Sequence, residues 1–177
     1  LAHHYSRWSI ALHWLMAVLL VATAATMELK GIYPKGSTGR SLLMSVHYAL
    51  GLSVFSLVWL RLLARALGPT PAIAPPPPAW QTLLGHTVHL ALYALMIAVP
   101  VVGYAMVDAK GYDVAFFGWS GPDFLAKDAD LAKSLNQLHE RLAWLLTGLV
   151  AVHVAAAFWH HFGLRDGTMR RMLPARG

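Results

Sequence analysis

The chain has 177 residues, of which 57% are hydrophobic and 12% charged, with a mean hydropathy of +0.51; soluble domains carry about 25% charged residues, so a water-facing globule is excluded and an integral membrane protein is indicated. Its 14 Lys and Arg against 8 Asp and Glu give a net charge of +6, but these residues flank apolar blocks and form no stripe, which suits anionic lipid head groups and argues against nucleic acid. With no cysteine, disulfides, covalently attached c-type haem, Cys-ligated iron–sulfur clusters and thiol chemistry drop out together, leaving ten histidines as the chemical resource.

Crossing roughly 30 Å of hydrocarbon takes about 20 helical residues, and four uncharged or nearly uncharged runs qualify. The first is Trp8 to Met27. Arg7, the apolar run and Ala22-Thr-Ala24 superficially resemble a cleaved signal, but the run exceeds the usual signal core of about 7–15 residues, so it reads as a true span. The second is Leu42 to Leu60, followed by Gly-Pro-Thr-Pro and Pro75 to Pro78, a stiff extended spacer that cannot be helix. The third is Thr82 to Val107, with Pro100 expected to kink it. A connection from about Asp108 to Ser134 is expected to form a small cap on one membrane face, and the fourth span runs from about Leu135 to Phe162 with Glu140 and Arg141 near its start. The expectation is an all-α, integral membrane four-helix bundle, one domain over residues 1–177.

Four spans place both termini on one side. Lys and Arg are nearly balanced, with Arg7, Arg61, Arg65, Arg165, Arg170, Arg171 and Arg176 facing Lys30, Lys35, Arg40, Lys110, Lys127 and Lys133 across the bilayer. The terminal side has Asp166 as its single acid, and Trp8, Trp59, Trp80 and Trp159 form an aromatic belt there. Both termini are therefore expected to be cytoplasmic. His3 and His4 are expected to be solvated.

Ionisable groups inside a span are costly and point to function. His139 and His153 lie 14 residues apart on the fourth span, within about 40° of one face and roughly 21 Å apart along the axis. Neutral imidazole is an axial ligand for haem iron, so each could hold a separate b-type haem, given a partner at equal depth. On the outer side that partner is His47, near the start of the second span, with Gly51 one turn below it leaving room for a porphyrin. On the inner side, His13, His86, His89, His160 and His161 all lie within a few turns of His153. His13 and His89 are the two competitors, because His160 and His161 sit at a span end and His86 near the membrane edge. Arg61, 14 residues after His47, returns to the same face and could pair with a haem propionate, or snorkel to lipid phosphate as Arg65 is expected to do. With four histidines available, Met16, Met44, Met96 and Met106 read as packing residues.

The ordered set Tyr5-Ser-Arg7, His13-Trp14, Met27-Glu28, Lys30-Gly31, Pro34, His47, Gly51, Arg61-Leu-Leu, Pro69-Thr-Pro71, His86-x-x-His89, Tyr93, Pro100-x-x-Gly103, His139-Glu140, His153, Ala155-Ala-Ala157, His160-His161 and Met172-x-Pro174 resembles the bacterial cytochrome b561 family over nearly the whole chain, and most closely its superoxide-oxidising branch. The resemblance implies an inner-membrane protein with two haem b groups, His13 and His153 holding the cytoplasmic-side haem and His47 and His139 the periplasmic-side one. It implies a ubiquinone site at His160, with His161, His89 and Arg61 nearby. The implied activity is superoxide:ubiquinone oxidoreductase, in which two superoxide anions are oxidised outside and ubiquinone is reduced. Lys30, Lys35, Arg40, Lys110 and Arg141 would draw the anion towards the outer haem. The chain departs from this branch at Asn136, where a lysine is expected, with Arg141 to compensate. The alternative is a di-haem electron-carrier subunit linking quinone to a partner dehydrogenase or hydrogenase.

Overall fold

The computed structural model describes residues 4–116 and 119–173. His3, Pro174 and Arg176 lie outside the described residues. Four long helices, α1 (Arg7–Lys30), α2 (Thr38–Leu67), α3 (Ala79–Ala109) and α4 (Ala129–Phe158), are each long and apolar enough to cross a membrane. Local chemistry sets their ends. Ser6 and Ser37 cap α1 and α2 through their hydroxyls, which accept from the backbone N–H of Ser9 and Arg40, and Asp128 caps α4 by accepting from Asp130 and Leu131. α3 begins directly after Pro78, the last of the proline run, and continues unbroken through Pro100.

α4 starts six residues before the expected span, because its first turns carry Asp130 and Lys133 and are invisible to a hydropathy reading. The connection between α3 and α4 is correspondingly short, residues 110–128. It contains a two-residue hairpin, β1 (Ala115–Phe116) with β2 (Trp119–Ser120), which pairs Ala115 with Ser120 and Phe116 with Trp119. Asp108, buried at the end of α3, accepts from the backbone N–H of Phe124 and Leu125, both at 2.9 Å, and so anchors the cap.

The bundle is two helical hairpins laid together. α1 packs along α2 and α3 along α4, while α2 touches α3 across the seam. One core cluster, Met16, Val54, Val58, Leu92, Leu95, Met96 and Leu146, draws on all four helices. A second, Met106, Val107 and Val114, sits beneath the cap with Tyr48, Leu52, Tyr104 and Leu135 around it.

The two termini meet at one end. Tyr5 N–H donates to Arg171 O at 3.2 Å and the Trp14 indole donates to Met172 O at 2.8 Å. The Arg171 guanidinium donates to Pro71 O in the proline spacer. Arg65 stacks over the Tyr5 ring at 5.0 Å, so it serves this clasp in place of the expected lipid contact. His4 is half-buried and not solvated as expected, since the clasp closes around the first described residues. Trp8, Trp59, Trp80 and Trp159 remain exposed at this end, where an interfacial belt belongs.

Candidate functional site

His47 on α2 and His139 on α4 face each other with ring centres 6.2 Å apart and planes at 82°. His13 on α1 and His153 on α4 repeat the arrangement at 6.2 Å and 75° nearer the terminal face. Each pair bridges the seam between the two hairpins. Two imidazoles either side of one metal ion, with bonds of about 2 Å and about 1 Å from each nitrogen to its ring centre, have centres roughly 6 Å apart. Both separations match that value. His89 also approaches His153, at 5.3 Å between ring centres.

Hydrogen bonds select the free nitrogen. His47 Nδ1 lies 3.2 Å from Thr23 O and 3.1 Å from Thr26 Oγ1, and His139 Nδ1 lies 3.0 Å from Val99 O. A carbonyl only accepts, so Nδ1 carries the proton in both rings and Nε2 keeps its lone pair. His89 is arranged likewise by Gly85 O. His13 differs, since Arg61 Nη2 donates to its Nδ1 at 2.9 Å and a neutral His13 then holds its proton on Nε2. Arg61 also donates to Ser9 O and lies 5.9 Å from the Tyr93 ring centre. Gly51 is half-buried, yet a Cβ there would meet no heavy atom within 4 Å. That open cradle beside His47 is what a flat macrocycle requires.

Gly103 is a site residue that sequence reasoning left without a role. A Cβ there would lie 2.9 Å from His139 Cε1 and 3.0 Å from Nδ1, so α3 at this point is the wall against which His139 rests.

At the capped face, a cavity of about 590 Å³ is lined by Lys110, Lys127, Lys133, Tyr112, Asn136 and Gln137. Of the five cations expected to guide an anion, it contains only Lys110. Lys30 and Arg40 sit at the α1–α2 corner, where Arg40 donates to Lys30 O at 3.0 Å and to Tyr33 O at 3.4 Å. Lys35 is exposed on the turn between those helices and Arg141 is exposed on α4. Lys127 and Lys133 line the cavity beside Lys110, 12 and 6 residues before His139, with the Lys127 stem packed on Gly111.

At the terminal face the last helix widens into a π-turn, Trp159–Leu164, and reverses at Arg165 with φ 54°. His160 Nδ1 meets Asp166 Oδ2 at 2.6 Å. His161 packs its ring edgewise on Phe162, 4.7 Å between centres.

The fold and site define a multi-pass helical membrane protein whose interior pairs histidines across its core at two depths. The profile of the prokaryotic cytochrome b561 family matches residues 4–175, and the chain belongs to that family of membrane electron-transfer proteins that carry b-type haem. Among its relatives, "Cytochrome b561 homolog 1" of Escherichia coli (strain K12) is 34% identical over 174 residues, covering 98% of this chain and 99% of that protein. "Probable superoxide oxidase CybB" of Yersinia pestis is 31% identical over 172 residues, 97% of each chain. "Cytochrome b561 homolog 2" of Escherichia coli (strain K12) is 31% identical, covering 96% of this chain and 90% of that protein.

Proposed function

We propose that the protein oxidises superoxide at its capped face and passes the electrons through two b-type haems to ubiquinone at its terminal face. The observation that carries this reading is the twin histidine pairs, each 6.2 Å between ring centres and both sharing α4. His47 and His139 would hold the haem nearer the cap, with Gly51 giving the macrocycle room, and His13 and His153 the haem nearer the termini. Bound haem supplies one-electron redox chemistry at each depth. For His13 to offer Nε2, Arg61 must release Nδ1, and a propionate is the anion that would take the guanidinium over.

Superoxide as the donor is supported by the cavity at the cap. Lys110, Lys127 and Lys133 form a positive basin that raises the local concentration of a small anion, and Asn136, one turn before His139, lines the same basin. The printed name of the Yersinia pestis relative agrees. His160 at the terminal face is the proposed quinone contact, with His161, His89 and Arg61 on the same side. The cap then faces the periplasm and both termini face the cytoplasm of an inner membrane. Purified, oxidised protein supplied with superoxide should show haem reduction, followed by reoxidation and ubiquinol formation when a soluble ubiquinone analogue is added. Haems that stay oxidised under superoxide but are reduced by ubiquinol would make the protein a quinone-linked carrier for a partner dehydrogenase or hydrogenase.

A further inference from the structure

We infer that Asp166 is a positioning residue for quinone reduction: its carboxylate holds the His160 ring by Nδ1, so that Nε2 is the nitrogen presented to the quinone. This rests on the reading of His160 as the quinone contact and adds to it a second residue and a proton path.

The backbone is built to bring these two side chains together. A regular helix would carry residue 166 away from residue 160. Here the π-turn and the left-handed Arg165 fold the chain back, and Asp166 N–H donates to His160 O at 3.2 Å. Asp166 Oδ2 then meets His160 Nδ1 at 2.6 Å, while Oδ1 accepts the Thr168 N–H at 2.8 Å. The Asp166 side chain is 7% exposed, and the His160 side chain keeps 20% of its surface open. The choice of partner is informative. Asp166 is the single acid on a face rich in arginine, including Arg61, Arg65, Arg165, Arg170 and Arg171, yet it meets none of them. Among the described residues, the His160–Asp166 contact is the one side-chain contact between a basic group and a carboxylate. Pairing the only local carboxylate with an imidazole serves to orient that ring, as a carboxylate does for a histidine that moves protons.

The chemistry balances as follows. Ubiquinone takes two electrons, one from each of two superoxide anions oxidised to dioxygen at the opposite face, and two protons. One proton passes from His160 Nε2 to a quinone carbonyl oxygen, breaking N–H and forming O–H, and leaves a neutral ring still donating Nδ1–H to Asp166. The second reaches the other oxygen from water at this face, and water then reprotonates Nε2.

The test is single-turnover reoxidation of chemically reduced holoprotein by a soluble ubiquinone analogue, which needs no superoxide. Asp166→Asn should lower the limiting rate at saturating quinone by about 10–100-fold, with half-saturation changed less than threefold, and Asp166→Glu should recover much of the rate. Nitrogen NMR of His160, recorded at a pH where the ring is neutral, should show the Nδ1–H tautomer in the wild type and a mixture in Asp166→Ala. A wild-type rate in Asp166→Asn, or a rate lost only in proportion to haem content, overturns the assignment. If Asp166→Asn does not fold, the Asp166→Glu rate and the wild-type tautomer decide it. His160→Gln separates the two ideas. No defect in that variant brings down the quinone reading, whereas a His160→Gln defect beside a silent Asp166→Asn overturns only the role of Asp166.

Discussion

Replacing Gly103 with alanine places a methyl carbon 2.9 Å from His139 Cε1 and 3.0 Å from Nδ1, where ordinary contacts begin at 3.4 Å. The backbone of α3 is held by core packing on both sides, with Leu95 and Met96 in one cluster and Met106 and Val107 in the other, so the imidazole must yield by about half an ångström. Metal–ligand distances tolerate only about 0.2 Å. The same shift strains the Nδ1–H bond to Val99 O, now 3.0 Å, and loss of such a supporting bond lowers metal affinity about 10–100-fold, or about 1.4–2.7 kcal/mol. On the proposed two-haem reading, the expected outcome is selective weakening of the haem at the capped face, read as a haem-to-protein ratio falling from two towards one while the absorption of the other haem persists. Gly148→Ala, where a Cβ meets nothing within 4 Å, is the control and should retain both. Full occupancy with wild-type affinity in Gly103→Ala would refute the placement of the ligand, and loss of both haems would show that α3 itself had failed.

The individual histidines give a sharper version: His139→Ala should lose one haem, His153→Ala the other, and His89→Ala neither, as judged by haem content of the purified variants. Lys127→Glu with Lys133→Glu should slow superoxide-driven haem reduction by about tenfold and flatten its dependence on ionic strength, leaving reoxidation by quinone intact. Burial pushes the Asp166 carboxyl up, but the hydrogen bonds from His160 and Thr168 outweigh it and hold the group below the ordinary carboxylate range. A folded-state value below the unfolded one means that stability is fully present above the ordinary value of about 3.9 and is lost as pH falls through the folded value. Thermal unfolding of detergent-solubilised protein should therefore fall off in acid, and Asp166→Asn should flatten that limb.

The four helices were legible because hydrocarbon imposes a length and a composition that few sequences meet by accident. The start of α4 was not, since Asp130 and Lys133 lie on a water-facing turn that hydropathy scores as loop, although Asp128 as an N-cap was a readable signal. The histidine pairs could be placed because depth is a one-dimensional coordinate that residue number reports directly. What lay outside a reading by depth was contact between segments remote in sequence. Lys127 from the cap and Lys133 from α4 meet Lys110 around one cavity, and Gly103 abuts a residue 36 positions away. The spacing of His160 and Asp166 belongs to no helical period, so only the π-turn and the reversal at Arg165 bring them together.

Both histidine pairs cross the seam between the α1–α2 and α3–α4 hairpins, and this bears on biosynthesis. Each hairpin is a unit that a bilayer can accept and store separately, since its backbone is already satisfied within its own helices. Neither contains both histidines of either pair. On the proposed haem ligation, a half-made chain, or two hairpins that have drifted apart, would offer haem one imidazole at a time and no conducting route. Cofactor capture by those pairs would weld the halves, since a ligand at 100 times its dissociation constant adds about 2.7 kcal/mol to the joined state. The bond that would complete the wiring would then also inspect the assembly, so that an electron would cross only a molecule put together correctly.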